Sequence, residues 1–229
     1  MVDFSSSVNA LRNIGISQRV TANNIANVES AGFKESRTVQ GTQSATVAVN
    51  RNQGGLIVTN NRLDFAINGN GYIAVSSPEG TAYSRSGTLS IDKNGVITDS
   101  NGNPLEPQIS VPTGPSSISI QADGTINADV NGNATSIGQL SITTFPNPGG
   151  LRQTGDNLLQ ENLASGQPLT NAPDTGGAGS LVMGGIERSN ASLSDNIVTM
   201  IINQNTFSYN AKAITVQEDM DRVTLSIKG

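Results

Sequence analysis

The sequence predicts an α+β fold in which long N- and C-terminal helices pair as a coiled-coil-like layer, with a central all-β domain of short antiparallel strands between them. Two observations support this prediction. Apolar residues recur at helical spacing at both ends of the chain, and short alternating runs separated by Asn-Gly turns fill the middle. We place a helical assembly domain at residues 1–36 and 190–229, an extended arm at 37–62 and the β-rich domain at 63–189.

The N-terminal helix is predicted from apolar residues at steps of three, four or a multiple, the spacing of one helix face. Gly32 follows at a position suited to the left-handed residue that ends a helix, and Phe33 is then placed to fold back onto Val28 as in a Schellman motif. The helix is therefore expected to stop at this glycine. The apolar positions are Phe4, Val8, Leu11, Ile14, Ala22, Ile25 and Val28.

The middle of the chain has the pattern of an all-β domain. Short runs such as LDFAI, YIAVSS and QLSITTF alternate with turns. In the preceding arm, the alternation in SATVAVN is compatible with one short strand. The positive-φ residues that tight hairpins need are supplied by Asn-Gly pairs at 68–69, 70–71, 94–95, 101–102 and 131–132.

The C-terminal helix is predicted from a heptad-like seam, preceded by a typical capping region of Ser192 or Ser194 with Asp195. The seam consists of Leu193, Ile197, Met200, Ile201, Gln204, Phe207, Ala211 and Ile214. It is widened by Val198, Ile202, Tyr209 and Val216, so this helix is expected to contact apolar surface on more than one side.

Two such helices on a soluble monomer would leave a long apolar stripe in water, which soluble monomers avoid. We therefore infer self-assembly through the termini, with the β-domain held outward. An ordinary coiled-coil stalk explains the periodicity equally well.

Composition excludes several classes of function. The chain has no Cys and no His, which removes thiol and imidazole chemistry, disulfides and zinc sites with the usual ligands. The net charge is −5, and the 13 Lys and Arg residues form no basic stripe, so nucleic acid is not an expected partner. Because the N-terminus lacks a basic region and no run approaches about 18 apolar residues, neither a Sec-type signal nor a membrane span is expected.

Two ligand-binding motifs are rejected. Residues 69–74 fit G-x-G-x-x-A, but the strand-like YIAVSS follows where a dinucleotide site needs a helix, so a hairpin turn is predicted. The run from Asp99 begins like a calcium loop, yet Pro104 stands where Gly is needed and Ser110 where Glu is needed. No catalytic residue, metal site or cofactor is predicted. The aromatic content of 3%, with no Trp, argues against a carbohydrate-active enzyme.

Several blocks of sequence carry a resemblance. TANNIANVESAGFK resembles the segment of the bacterial flagellar axial proteins, the rod and hook family, that carries an NNIAN…T.GFK pattern behind an N-terminal helix. LDFAINGNGYIAV and AYSRSGTLSIDKNGVITDSNGNPLEPQ resemble the opening of that family's β-domain. ISVPTGPSSISIQADGTI, IGQLSITTFPNPGGL and GAGSLVMGGIERSNASL resemble later blocks of the distal-rod type. MIINQNTFSYNAKAIT is similar to the family's MI..QR.Y..N.K.I helix, with Asn205 and Phe207 replacing the usual Arg and Tyr.

The resemblance implies a structural subunit of the flagellar rod, proximal or distal, and not an enzyme. Such a subunit polymerises helically through its terminal helices to form a hollow drive shaft, with the β-domain as the surrounding wall. The implied partners are further copies, adjacent rod and hook proteins, and the flagellar type III export apparatus that carries the unfolded chain to the periplasm-spanning basal body. A short hook protein and a secreted β-rich binding module on a helical stalk are the alternatives.

The predicted subunit interface combines apolar and amide side chains of both helices with the GFK turn. Asparagine is unfavourable inside a helix, so the three asparagines of NNIAN are expected to hydrogen-bond a neighbouring subunit, or the backbone where the chain leaves the helix. Alternatively, they only weaken the helix near its end. The predicted interface residues are Leu11, Ile14, Asn23, Asn24, Ile25, Asn27, Gly32, Phe33, Ile197, Met200, Ile201, Gln204, Phe207, Asn210 and Ile214.

Overall fold

The computed structural model describes residues 4–41, 44–115, 117–130 and 132–228. The chain divides into two compact units, each assembled from segments that are distant in sequence. The helical unit contains Met1–Val28, Glu35–Asn50 and Ala191–Gly229. The β unit contains Glu29–Lys34 and Arg51–Asn190.

The helical unit consists of two α-helices and a β-hairpin. Helix α1 spans Phe4–Ala26, and helix α2 spans Leu193–Lys228. Strands β1 (Ser36–Gln40) and β2 (Ala45–Val49) pair antiparallel. Strand β2 is the strand that the alternation in SATVAVN suggested.

The start of α2 and the end of α1 have different causes. Helix α2 begins where the Ser192 hydroxyl accepts a hydrogen bond of 3.3 Å from the Asp195 amide, which is the predicted kind of cap. Helix α1 ends at Ala26, six residues before the predicted glycine stop. Gly32 has the expected left-handed φ, 69°, but its amide donates to the carbonyl oxygen of Glu187 at 2.8 Å. The predicted Schellman motif is therefore wrong, because the glycine amide bonds within the β unit instead of capping the helix.

The predicted coiled-coil-like layer of paired terminal helices is wrong, although the α+β class holds broadly. A coiled coil buries a continuous apolar seam, whereas the seam residue Ile201 of α2 remains about half exposed. The buried contact between Asn24 and Asn196 is polar. Helix α1 also packs on the β1–β2 hairpin, where the Asn13 side chain accepts a hydrogen bond of 3.0 Å from the Ala45 amide. The hairpin thus occupies surface that the prediction assigned to the second helix.

The β unit is built from short strands, as predicted. Their bounds are β3 Leu56–Val58, β4 Phe65–Asn68, β5 Ile73–Ser77, β6 Gly80–Ser84, β7 Leu89–Ile91, β8 Ile97–Asp99, β9 Ser117–Ile120, β10 Thr125–Val130, β11 Asn133–Gln139, β12 Ile142–Thr144, β13 Arg152–Gly155, β14 Leu158–Gln160, β15 Leu169–Asn171, β16 Ser180–Met183 and β17 Gly185–Glu187. A single 3-10 turn, Pro148–Gly150, lies between β12 and β13 within the described residues.

The strand pairs are antiparallel and form several small sheets. The largest has the order β13-β14-β6-β5, and a second has the order β11-β10-β9. The pairs β12-β15, β16-β4, β17-β3 and β7-β8 complete the unit among the residues that the structure describes. Because β3 and β4 pair with β17 and β16, the start of the β unit is bonded to its end.

The Asn-Gly turns confirm the predicted backbone conformation but not every predicted hairpin. The glycines of all five pairs have positive φ, between 80° and 131°; Asn131 lies outside the described residues. The pair at 94–95 joins β7 to β8, as expected. The two pairs at 68–71 form no hairpin, because the flanking strands β4 and β5 pair with β16 and β6. That hairpin prediction is wrong.

Apolar side chains from most of these sheets meet in one core. Its largest fully buried members include Phe65, Ile73, Ile97, Ile126 and Ile142. A smaller aromatic cluster joins Tyr72, Tyr83 and Phe145, with the Tyr83 and Phe145 rings edge to face at 4.8 Å. In the part of the chain that the structure describes, no helix is both long and apolar enough to cross a membrane.

Candidate functional site

Helix α2 carries a row of apolar side chains that remain more than half exposed in the part of the chain that the structure describes. Seven side chains, each between 55% and 80% exposed, follow one another at steps of three, four or seven residues and therefore lie on one side of the helix. We call this surface the outer stripe. Its members are Val198, Ile202, Tyr209, Val216, Met220, Val223 and Ile227.

The predicted interface residues of α2 all lie elsewhere on the helix. Met200, Asn210 and Ile214 are partly buried within the helical unit. Ile197, Ile201, Gln204 and Phe207 are exposed, but none of them belongs to the outer stripe. The apolar seam residues are less exposed than the four residues that the sequence analysis described as widening the seam. These four are Val198, Ile202, Tyr209 and Val216. Helix α2 therefore has apolar side chains on two sides. The side with Met200 and Ile214 is partly buried in the helical unit, and the outer stripe is the more exposed side.

The predicted apolar residues of α1 are used inside the helical unit. Ile14 is buried, and Leu11 and Ile25 are partly buried. Gly32 and Phe33 are also buried, but in the β unit. A Cβ on Gly32 would lie 2.8 Å from the carbonyl carbon of Arg85, so the close approach of two backbones requires glycine here.

The three asparagines of NNIAN have three different environments. Asn24 is 2% exposed; its amide donates to the Ser36 carbonyl at 2.8 Å and its oxygen accepts from the Ser36 amide at 2.9 Å. Asn27 donates to the Asn23 carbonyl at 2.9 Å, and the Asn23 side chain is exposed. The structure thus brings Asn24 to the backbone where the chain leaves the helix, which is one of the two roles that the sequence suggested.

Sequence reasoning missed the partner of Asn24. The Asn24 amide also donates to Asn196 Oδ1 at 3.0 Å, and Asn196 in turn donates to Glu35 Oε1 at 3.2 Å. A second polar pair, Ser17 with Asn203, links the same helices at 3.0 Å. Buried amide groups of this kind are satisfied only in one alignment of the elements that carry them.

A buried ion cluster in the β unit was also missed. Arg85 Nε donates to Glu187 Oε2 at 2.7 Å, Lys34 Nζ pairs with Glu187 Oε1, and the Gly54 amide donates to the same oxygen at 2.8 Å. All three charged residues lie within the motifs GFK, SRSG and GGIER. The motifs therefore held the signal, but their spacing does not show which charges meet.

Burial and charge oppose each other in this cluster. Burial lowers the pKa of Lys34 from its ordinary 10.5, and the hydrogen bond to Glu187 offsets that effect only in part. Burial alone would raise the pKa of Glu187, but the charge of Arg85 and the hydrogen bonds from Lys34, Arg85 and the Gly54 amide hold it below its ordinary 4.5. The glutamate is therefore the anion that holds two buried cations together.

Comparison with protein families matches two parts of the chain. Residues 66–128 match the flagellar hook protein FlgE/F/G D1 domain. Residues 183–227, which contain most of α2, match the C-terminal region of the flagellar basal body rod FlgEFG proteins.

Individual relatives cover nearly the whole chain. A flagellar basal-body rod protein FlgG of Buchnera aphidicola is 34% identical over 90% of this chain and 91% of the relative. The FlgG protein of Bacillus subtilis is 32% identical over 97% of both chains. The hook protein FlgE of Helicobacter pylori is 31% identical, but over only 48% of this chain and 16% of that protein, so the hook alternative has less support. The chain belongs to the family of flagellar basal-body rod proteins.

Proposed function

We propose that this chain, a structural subunit of the flagellar rod, assembles with copies of itself through the outer stripe of α2. The observation that supports this most is the exposure of seven apolar side chains along one side of a 36-residue helix. Contiguous exposed apolar surface on a soluble chain is typical of an interaction site. The family match covers this same helix.

Simple energetics favours a polymer over an isolated pair. Fully burying one such side chain contributes roughly 1.5–3 kcal/mol, and the stripe residues are already partly covered. One stripe therefore contributes on the order of 10 kcal/mol, comparable to the roughly 4–15 kcal/mol that association costs in lost freedom. A single contact is thus marginal, whereas a subunit that contacts several neighbours in a helical array is held firmly.

The proposal extends to the surroundings of the subunit. Its neighbours in the axial structure are adjacent rod and hook proteins, and the flagellar type III apparatus exports it to the rod that spans the periplasm. Membership of a rod-protein family supports a structural role and not a catalytic one.

The test compares the wild-type chain with a double variant, Ile202→Gln with Val216→Gln. Both positions lie on the outer stripe, and glutamine forms helix at least as well as isoleucine and valine, so the helix is retained. Asn205→Gln, an exposed change on the same helix, is the matched control. Assembly is followed by sedimentation and negative-stain microscopy, and the helix content by circular dichroism.

The wild-type chain and the control are expected to form tubes or helical oligomers, and the double variant to remain monomeric with unchanged helix content. Assembly of the double variant at the wild-type concentration would show that the stripe is not the interface. A wild-type chain that stays monomeric at all accessible concentrations would contradict self-assembly altogether.

A further inference from the structure

The β unit contains a cavity of about 560 Å³, which is separate from the outer stripe of α2. It lies among residues 51–53, the loop at 69–72 and the segment from Thr144 to Pro148. Its volume falls within the roughly 300–1,000 Å³ of typical ligand sites.

Arg51 is the unusual residue of this cavity. Its Nη2 donates to the carbonyl oxygen of Leu151 at 3.0 Å. Its Nε and Nη1 are buried, and among the described residues no hydrogen-bond acceptor reaches them. A buried donor without an acceptor is unfavourable, and more so when it is charged. The guanidinium therefore has room for an acceptor that the described residues do not supply.

The neighbouring Arg85 shows the contrast. Its Nε is paired with Glu187, its Nη1 donates to the Gly71 carbonyl at 2.6 Å, and its Nη2 donates to the Gly69 carbonyl at 2.6 Å. Arg85 thus shapes the loop that borders the cavity. Arg51 borders the same cavity with most of its donors unused.

The charges around the cavity do not cancel. Lys34, Arg51 and Arg85 lie close enough that the charges of both arginines lower the pKa of Lys34. The carboxylate that faces them, Glu187, is already bonded to Lys34, Arg85 and the Gly54 amide. The cavity therefore has an excess of positive charge, which favours an anion.

The remaining lining defines the kind of anion. The cavity is lined by the apolar side chains of Tyr72, Phe145, Pro146 and Pro148 and by the amide residues Asn52, Gln53 and Asn70. The Gln53 amide is already used, since it donates to the Ile67 carbonyl at 3.1 Å. An apolar wall beside a cation suits a carboxylate carried on a short hydrocarbon stem, as in glutamate or aspartate.

We propose that this cavity binds a carboxylate, supplied by an acidic side chain of a neighbouring copy of the chain. The inference rests on the proposed self-assembly for the source of the carboxylate, but not for the binding chemistry. Each copy has 18 Asp and Glu residues against 13 Lys and Arg, so a neighbouring copy carries more carboxylates than its own cations can pair with, and its net negative charge complements the positive cavity. The contact adds a charge-dependent component to an assembly that the outer stripe alone would make purely apolar.

The binding chemistry is tested on the dilute full-length chain. The probes are glutamate blocked as its N-acetyl, N-methylamide derivative, and the equivalent blocked glutamine, which has the same shape without the charge. Binding is followed by NMR of the arginine Nε–H signals, with the Arg51 signal assigned from the variant. The glutamate probe is expected to shift the Arg51 signal, and the glutamine probe to leave it unchanged.

Arg51→Gln is expected to bind the glutamate probe at least tenfold more weakly, while Arg62→Gln, a change at an exposed arginine, binds it as the wild type does. Arg51→Lys retains the charge and is expected to bind the glutamate probe with intermediate affinity. This second variant distinguishes a lost binding group from a lost fold. Equal binding of the two probes, or unchanged binding to Arg51→Gln, would overturn the carboxylate site.

The source of the carboxylate is tested by assembly. Arg51→Gln is expected to raise the concentration needed for assembly at low salt relative to Arg62→Gln, and added salt should reduce the difference. If the wild-type chain binds the glutamate probe but Arg51→Gln assembles normally, the site binds a free small carboxylate. That result would overturn the proposal that a neighbouring copy supplies the carboxylate. The NMR measurement needs no assembly, so it also separates failure of this site from failure of the outer stripe.

Discussion

The side chains of Asn24 and Asn196 share a buried hydrogen bond of 3.0 Å although they are 172 positions apart in sequence. Each amide has a further partner, because Asn24 also bonds the backbone of Ser36 and Asn196 also bonds Glu35. One amide pair thus joins both helices to the start of the hairpin. This makes Asn24, of the three asparagines in NNIAN, the one whose loss the helical unit cannot compensate.

We expect Asn24→Ala to destabilise the helical unit by about 2–3 kcal/mol, because the Ser36 amide and the Asn196 side chain lose buried partners. Asn23→Ala, a matched change at an exposed neighbour, is expected to alter stability by less than about 0.5 kcal/mol. Urea unfolding followed by far-UV circular dichroism measures both. Equal effects of the two substitutions would contradict the role assigned to Asn24.

Removing the charge of Glu187 should destabilise the β unit strongly. Glu187→Gln leaves Lys34 and Arg85 buried without their anion, which typically costs about 3–5 kcal/mol. The control is Glu79→Gln, which removes an exposed contact of 4.0 Å with Arg152 and is expected to cost less than about 1 kcal/mol. Calorimetry of the full chain compares the two. A loss at Glu187 no larger than that at Glu79 would show that the buried cluster does not hold the unit.

The same cluster predicts acid sensitivity. The folded-state pKa of Glu187 is held below its ordinary 4.5. As the pH falls below 4.5, the unfolded chain therefore binds more protons than the folded one, and the free energy of unfolding decreases. The contribution is fully present above pH 4.5 and is lost as the pH falls through the folded-state pKa. Unfolding midpoints measured across this window should fall more steeply for the wild type than for Glu187→Gln. Identical slopes would contradict the assignment.

Gly32→Ala should destabilise the β unit through two effects. The φ of 69° disfavours a side chain, and the new Cβ would meet the Arg85 backbone at 2.8 Å. Gly102→Ala separates these effects, since Gly102 has a φ of 85° but no atom within 4 Å of the added Cβ. We expect about 1 kcal/mol for Gly102→Ala from backbone strain and at least twice that for Gly32→Ala, both measured by thermal unfolding.

The sequence predicted local structure better than it predicted partners. The helical periods, the cap at Ser192 and the positive φ of the Asn-Gly glycines are set by residues a few positions apart, and the structure contains all three. The paired-helix layer and the hairpin at 68–71 required a choice of partner, and both predictions are wrong. The β1–β2 hairpin occupies surface on α1, and Arg85 binds the carbonyls of the 69–71 loop.

The sequence by itself determined the family, through ordered motifs along nearly the whole chain, and the presence of apolar residues on more than one side of the C-terminal helix. Only the tertiary structure decided which of those sides stays exposed, that Asn24 faces Asn196, and that Lys34, Arg85 and Glu187 meet. The physical reason is distance along the chain. Periodicity and capping act over one or two turns, whereas burial and charge pairing depend on segments that only folding brings together.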